Sequence, residues 1–265
     1  MLALIAGQGR LPGLLSAQLE QDGEAFEIFE MAGFPVESIS ELPVRKFHIE
    51  QLGTLLDTLV AQGFTQVCFA GSIRRPVIDP KLIDAATKPL VPRIMQAIAS
   101  GDDGALRVII GLFSERGLQV RAADEIAPHL LPKPGVLTRT QPTDQHRADA
   151  LIGWEVLKEQ GAADLGQACV IYDEQVVARE TALGTDVMLA NLGQVSGGIL
   201  FKGPKPGQDR RADLPTIGMA TVRGVVTAGL DGIVVEAGGV MVLDLAEVVE
   251  MCDRAAIFLL IREYP

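Results

Sequence analysis

The chain has 265 residues, 48% of them apolar and 22% charged, which suits one large packed domain or two modest ones and excludes long disorder. Its 34 acidic and 23 basic residues leave a net charge of −11, which excludes a protein that grips nucleic acid through a broadly positive surface and argues against docking on an anionic membrane by charge alone. Cys68, Cys169 and Cys252 lie far apart with no C-x-x-C pair, so neither a disulfide scaffold nor a structural zinc site is expected, and a reducing cytoplasmic setting is.

The opening MLALIAGQGR has no basic stretch ahead of its apolar run, so it does not read as a signal peptide. No apolar run approaches the roughly 18 residues of a membrane span. Leu2–Ala6 reads as a buried strand, followed by the turn Gly7-Gln8-Gly9 and a helix opening near Pro12, which suits a first-turn position. Ala25–Phe29 is a second strand. Ile49–Gln62 spaces Leu52, Leu55, Leu56, Leu59 and Val60 at helical intervals, with Gly63 as the stop. Val67–Ala70 reads as a strand ending at Gly71-Ser72, Ala105–Arg116 as a helix and Leu118–Arg121 as a strand. Strand and helix in alternation predict a Rossmann-like first domain with a parallel sheet, residues 1–130.

Pro128, Pro132, Pro134, Gly135 and Pro142 fall within fifteen residues and predict a proline-rich linker, residues 131–142. A second α/β domain, residues 143–265, follows. Thr143 caps a helix through Glu159 that Gly161 ends. Ala168–Tyr172 and Gln175–Glu180 flank Asp173-Glu174 as a hairpin. Strands are expected at Thr216–Met219, Gly232–Val235 and Val240–Leu243, then a helix over Leu245–Arg254 and a last strand within Ala255–Ile261. Strand directions should be mixed.

Several groups carry chemical potential. Gly7-Gln8-Gly9 joins a strand to a helix, where backbone N–H groups and the helix dipole favour an anion. Pro12 stands where the dinucleotide fingerprint needs its third glycine, although Glu30 could serve as a ribose acid. Asp102 and Asp103 precede a helix, as caps or as carboxylates for a hydrated Mg²⁺ or a ribose. Thr185 and Asp186 open another helix, again as caps or as a site. The run Lys202–Thr216 holds Lys202, Lys205, Arg210 and Arg211 against Asp209 and Asp213, in a glycine- and proline-rich loop that can bring cations to a phosphate. Gly-Lys never occurs, no G-x-S-x-G surrounds Ser72 or Ser196, and His48, His129 and His146 are scattered.

The segments LIAGQGRLP, GDDGALR, LGQACVIYDEQVVA, GTDVML, KGPKPGQDRRADLPTIGMATV and AGLDGIVVEAGGVMVLD, in that order along nearly the whole chain, resemble the LpxI family. The resemblance implies two α/β domains with a substrate cleft between them. It also implies Mg²⁺-dependent hydrolysis of UDP-2,3-diacylglucosamine to UMP and 2,3-diacylglucosamine 1-phosphate (lipid X), in lipid A synthesis. Asp213 matches the catalytic position, as metal ligand or as orienter of the attacking water. Gly9, Leu11, Gly71, Ser72, Asp102 and Asp103 match stretches on the nucleotide-sugar side; Lys205, Gln208 and Arg211 match the phosphate-facing loop, and Thr185 and Asp186 match GTD. A peripheral contact with the inner membrane is implied by the lipid substrate, local and apolar given the net charge, and a homodimer is a possible assembly. Leu183 departs from the family pattern, which has an acid before Gly-Thr-Asp, while Glu180 keeps its place; a glycine expected near Asp253–Phe258 is also missing. Two alternatives stay open at this point: a nicotinamide-dependent oxidoreductase resting on Gly7-Gln8-Gly9 and Glu30, and a non-catalytic nucleotide-sugar sensor suggested by Leu183.

Overall fold

The computed structural model describes residues 1–36, 42–73, 76–99, 102–162 and 165–264, without the side chains of 97–99, 102–103 and 162. The chain forms two units: Met1–Pro128 with Asp209–Asp213, and His129–Gln208 with Leu214–Pro265.

In the first unit, β1 (Leu2–Ala6) is buried along its whole length, as an apolar run covered on both faces must be. It is followed by α1 (Leu11–Gln21), β2 (Phe26–Met31), β3 (Val44–Phe47), α2 (Leu52–Ala61), β4 (Gln66–Ala70), α3 (Val91–Ala99), α4 (Asp102–Glu115), β5 (Gln119–Val120) and α5 (Ala123–Ile126). Among the described residues the strands form one sheet in the order β3-β2-β1-β4-β5, every neighbouring pair parallel. The Rossmann-like parallel sheet read from the sequence is present, and its order reverses direction at the β1/β4 boundary. Leu52, Leu55, Leu56 and Leu59, spaced along one face of α2, join Phe29, Val67 and Phe113 in the core.

The second unit runs β6 (Gly135–Val136), α6 (Asp144–Ala162), β7 (Ala168–Tyr172), β8 (Gln175–Arg179), α7 (Thr185–Asn191), β9 (Ile199–Lys202), β10 (Thr216–Ile217), α8 (Met219–Ala228), β11 (Gly232–Glu236), β12 (Met241–Val242), α9 (Leu245–Arg254) and β13 (Phe258–Arg262). Its sheet has the order β6-β13-β11-β9-β7-β8. Strands β9, β11 and β13 are parallel, whereas β7, β8 and β6 pair antiparallel, so the expected mixed sheet is also present. Asp173 and Glu174 both have positive φ, 50° and 59°, the geometry of a type I′ hairpin between β7 and β8.

Three details differ from the sequence reading, while the expected Thr143 cap is present. The proline-rich stretch is laid onto the second unit: β6 is an edge strand, where prolines leave no ladder bond unmade, and Thr138 Oγ1 accepts the N–H of Leu259 at 3.0 Å. Thr143 does cap α6, its hydroxyl accepting the N–H of His146 at 3.3 Å while His146 Nδ1 accepts the N–H of Thr143 at 3.2 Å. Gly161, however, does not end α6, which runs on to Ala162; a Cβ there would lie 2.1 Å from Pro206 Cδ, so close packing accounts for the glycine. The strand expected over Thr216–Met219 stops at Ile217, and Met219 opens α8.

Candidate active site

The carboxyl ends of β1 and β4 lie side by side, and the turns that follow them are joined. Gln8 N–H donates to the Ser72 carbonyl at 2.9 Å, Ser72 N–H donates to the Gln8 carbonyl at 2.9 Å, and Gly7 N–H donates to the Ala70 carbonyl at 2.8 Å. Gly71 makes this crossing possible: its φ is +84°, and a Cβ would fall 2.6 Å from the Gln8 carbonyl oxygen. The donors of Gly7 and Gln8 are therefore engaged within the protein, which corrects the picture of Gly7-Gln8-Gly9 as an open cradle of N–H groups. Gly9 has φ +97° and opens into free space, and Leu11 is buried in the first turn of α1. Gly9, Leu11, Gly71 and Ser72 thus gather at the point where strand order reverses, the position at which open α/β sheets take ligands. Glu30, the ribose acid of the oxidoreductase alternative, instead accepts the N–H of Val36 at 2.9 Å and pairs with Lys46 at 3.4 Å.

Asp102 and Asp103 open α4, and their side chains lie outside the described residues. Further along, Asp209–Asp213 completes the same unit. The Asp209 carbonyl accepts the N–H groups of Ala212 and Asp213, both at 3.1 Å, and Ala212 packs against the core that holds Phe29 and Phe113. The Asp209 carboxylate receives Arg211 Nε at 2.9 Å and Nη2 at 2.7 Å. Arg211, and more weakly Arg107 of α4, hold the Asp209 carboxyl below the usual carboxylate range, and the Arg211 guanidinium is raised in return. Asp213 is half-buried beside this pair in the chain.

Ahead of that segment, Lys205-Pro206-Gly207-Gln208 forms a tight turn closed by Gln208 N–H donating to the Lys205 carbonyl at 3.2 Å. Proline followed by a glycine at φ +76° defines a type II turn. Buried Gln208 locks it, its Oε1 accepting the N–H of Lys205 at 3.0 Å. Pro206 sits in the space left by Gly161, so α6 fixes where this turn stands.

Lys202 requires a correction. Read as one cation of the loop, it is the last residue of β9 and is buried; its ammonium donates to Thr185 Oγ1 at 2.8 Å. Thr185 in turn donates to Glu180 Oε1 at 2.9 Å, and Glu180 Oε2 accepts the N–H of Gln167 at 2.6 Å. Burial pushes the Lys202 pKa down, while Glu180 and then Asp186 pull it back up. The Thr185 hydroxyl does not cap α7, which has no side-chain cap; it links an acid to a cation. Asp186 is exposed, and Leu183, in the family acid's place, is 71% exposed. The Glu180–Thr185–Lys202 chain was not anticipated; the apolar run Ile199–Phe201 ending in Lys202 was the available signal. Among the described residues no group of three or more His, Cys, Asp or Glu side chains is placed to hold a metal ion. The three cysteines are free and buried, their thiols pushed up by desolvation to about 12 for Cys68 and Cys169 and about 11 for Cys252.

A parallel sheet with closed turns at its reversal point, and a second unit with a mixed sheet, define a two-unit α/β protein whose first unit is of the open-sheet kind that takes ligands at strand ends. Comparison with known sequences narrows the class. The LpxI N-terminal domain family matches residues 1–130 and the LpxI C-terminal domain family matches residues 133–260. The chain belongs to the LpxI family. It is 35% identical over 269 aligned positions, covering 98% of this chain and 96% of the relative, to the UDP-2,3-diacylglucosamine pyrophosphatase LpxI of Caulobacter vibrioides.

Proposed function

We propose that this protein hydrolyses the pyrophosphate bond of UDP-2,3-diacylglucosamine, releasing UMP and 2,3-diacylglucosamine 1-phosphate for lipid A synthesis. The end-to-end match to the Caulobacter pyrophosphatase carries this reading. Elementary chemistry agrees with it. A diphosphate diester resists water because its anionic oxygens repel a nucleophile, so a catalyst must neutralise those oxygens and orient the water.

Lys205 and Arg211 stand on the pinned segment as the cations for the diphosphate, Gln208 holds the turn that carries Lys205, and Asp213 orients the attacking water. Gly9, Leu11, Gly71 and Ser72, with Asp102 and Asp103, form the nucleotide-sugar side in this proposal; Thr185 and Asp186 belong to it through the GTD segment. Water attacks the sugar-side phosphorus, the bond from that phosphorus to the bridging oxygen breaks, and the bridging oxygen leaves with UMP. Mg²⁺ commonly binds through one carboxylate together with phosphate oxygens and waters, and we propose that mode here. Asp213 would be that carboxylate, and the ion when bound would neutralise charge on the phosphate oxygens. Because the substrate is a lipid, we place the protein at the bilayer surface as a peripheral contact; among the described residues no helix is long and apolar enough to cross a membrane.

Purified protein incubated with UDP-2,3-diacylglucosamine and Mg²⁺ should release UMP and lipid X in equal amounts. Substrate binding with no UMP released would overturn the proposal and leave a sensor. In ¹⁸O-labelled water the label should appear in lipid X; label in UMP would move the attack to the uridine-side phosphorus.

A further inference from the structure

A closed hydrogen-bonded ring stands at the base of the loop that begins with Gly203. Lys202 Nζ donates to Thr185 Oγ1 at 2.8 Å, and the Thr185 hydroxyl donates to Glu180 Oε1 at 2.9 Å. Glu180 Oε2 accepts the N–H of Gln167 at 2.6 Å, and the Gln167 carbonyl accepts the N–H of Gly203 at 3.1 Å. The peptide bond from Lys202 to Gly203 completes the circuit. The ring thus ties together the approach to β7, the exit of β8, the start of α7 and the end of β9. Two glycines let these segments come so close. Gly166 has φ +56°, and a Cβ there would lie 2.6 Å from the Glu180 carbonyl oxygen; a Cβ at Gly203 would lie 3.3 Å from Leu157 Cδ1.

Stability alone does not call for this ring. Lys202, Glu180 and Thr185 are all buried. Each has given up water, and apolar side chains of similar size often hold a fold as well or better. What polar groups add is direction, because the bonds of the ring are all satisfied in one arrangement of the four segments. Gly203 leaves that arrangement two residues before Lys205. From the other side, Pro206 fills the space beside Gly161, and Gln208 Oε1 accepts the N–H of Lys205 at 3.0 Å. The turn that carries Lys205 is therefore fixed from two sides. The one proton of the Thr185 hydroxyl is committed to Glu180, so Thr185 acts through Lys202 and not by donating to a ligand.

We infer, resting on the function proposed above, that Thr185, Lys202 and Glu180 are positioning residues for diphosphate hydrolysis, a ring that aims Lys205 at the substrate. Thr185→Val keeps the side chain's shape and removes its hydroxyl. Its kcat for UMP release should fall about 10²-fold, the scale for a catalytic group misplaced by about 1 Å, with KM within about threefold of the parent's. Thr185→Ser returns the hydroxyl and should restore most of that loss. Because the ring acts as one unit, adding Thr185→Val to Lys202→Met should lower kcat little further. Losses that multiply independently overturn the ring. So does parental kcat in a Thr185→Val protein that is folded by circular dichroism. Where that variant does not fold, Glu180→Gln carries the same expectation and the same refutation. Deuterium exchange of the full-length protein needs no substrate: the amides of Lys205 and Gln208 should exchange about tenfold faster in Thr185→Val. Faster exchange in the variant, with a parent protein that never releases UMP, keeps the ring's hold on the turn and removes the pyrophosphatase reading. UMP release by the parent, with kcat and exchange unchanged by Thr185→Val, overturns the inference and leaves that reading standing.

Discussion

The two ends of the run Lys202–Asp213 handle charge in opposite ways. At one end Lys202 is sealed in the second unit and answered through Thr185 by Glu180, with desolvation the largest influence on its proton. At the other end Asp209 and Arg211 answer each other across two residues, Arg211 half in solvent. Buried charge of the first kind is costly to disturb, because removing one partner strands the rest away from water. Paired charge of the second kind contributes little to folding and can exchange partners readily. The strand end is fixed by buried partners, and the tip by an ion pair that solvent screens.

Substitutions sharpen or break that contrast. Asp213→Ala should have the largest effect, lowering kcat for UMP release by roughly 10³-fold, the scale for losing one transition-state contact, with substrate affinity within a few-fold of the parent. Equal turnover would remove Asp213 from the chemistry. Lys202→Met should cost about 3 kcal/mol in urea unfolding, since Thr185 and Glu180 lose their cation in a buried place. If that variant unfolds no more readily than Arg211→Ala, the two ends are alike after all. Gly161→Ala should cost about 1–3 kcal/mol by overpacking against Pro206, and should raise KM by displacing the turn that carries Lys205. Arg211→Ala should be the mildest for stability, below about 1 kcal/mol. Its signature is pH. Arg211 keeps Asp209 ionised below the ordinary carboxylate range, so the pair's stabilisation is present above the unfolded aspartate's pKa, near 4, and fades as acid protonates Asp209 in the folded chain. The variant's acid unfolding curve should lack that loss.

Fully apolar runs and turn chemistry were legible in the sequence because each has a local cause. β1 and β7 coincide with the expected strands, α9 with the expected helix, and the hairpin turns at Asp173-Glu174. What could not be read depends on partners distant in the chain. α8 carries Thr221, Val222, Val225 and Val226, β-branched residues that disfavour an isolated helix, and packing of Val222 and Val225 into the core overrides them. Gly161 resembles a helix stop until Pro206 arrives beside it. Lys202 looks like a loop cation until β9 places it at a strand end among Thr185 and Glu180. The loop's identity as a candidate site was visible from its glycines, prolines and charges; which of its cations is internal was not.

Ala212 has a bearing on synthesis. The amino-terminal unit is discontinuous in the chain, since Asp209–Asp213 completes it and Ala212 adds to its core. A ribosome delivers Met1–Pro128 well before that last piece, so the first half must wait, nearly finished, until most of the second has emerged. An isolated fragment ending at Pro128 is accordingly expected to be less stable than the same residues within the whole protein.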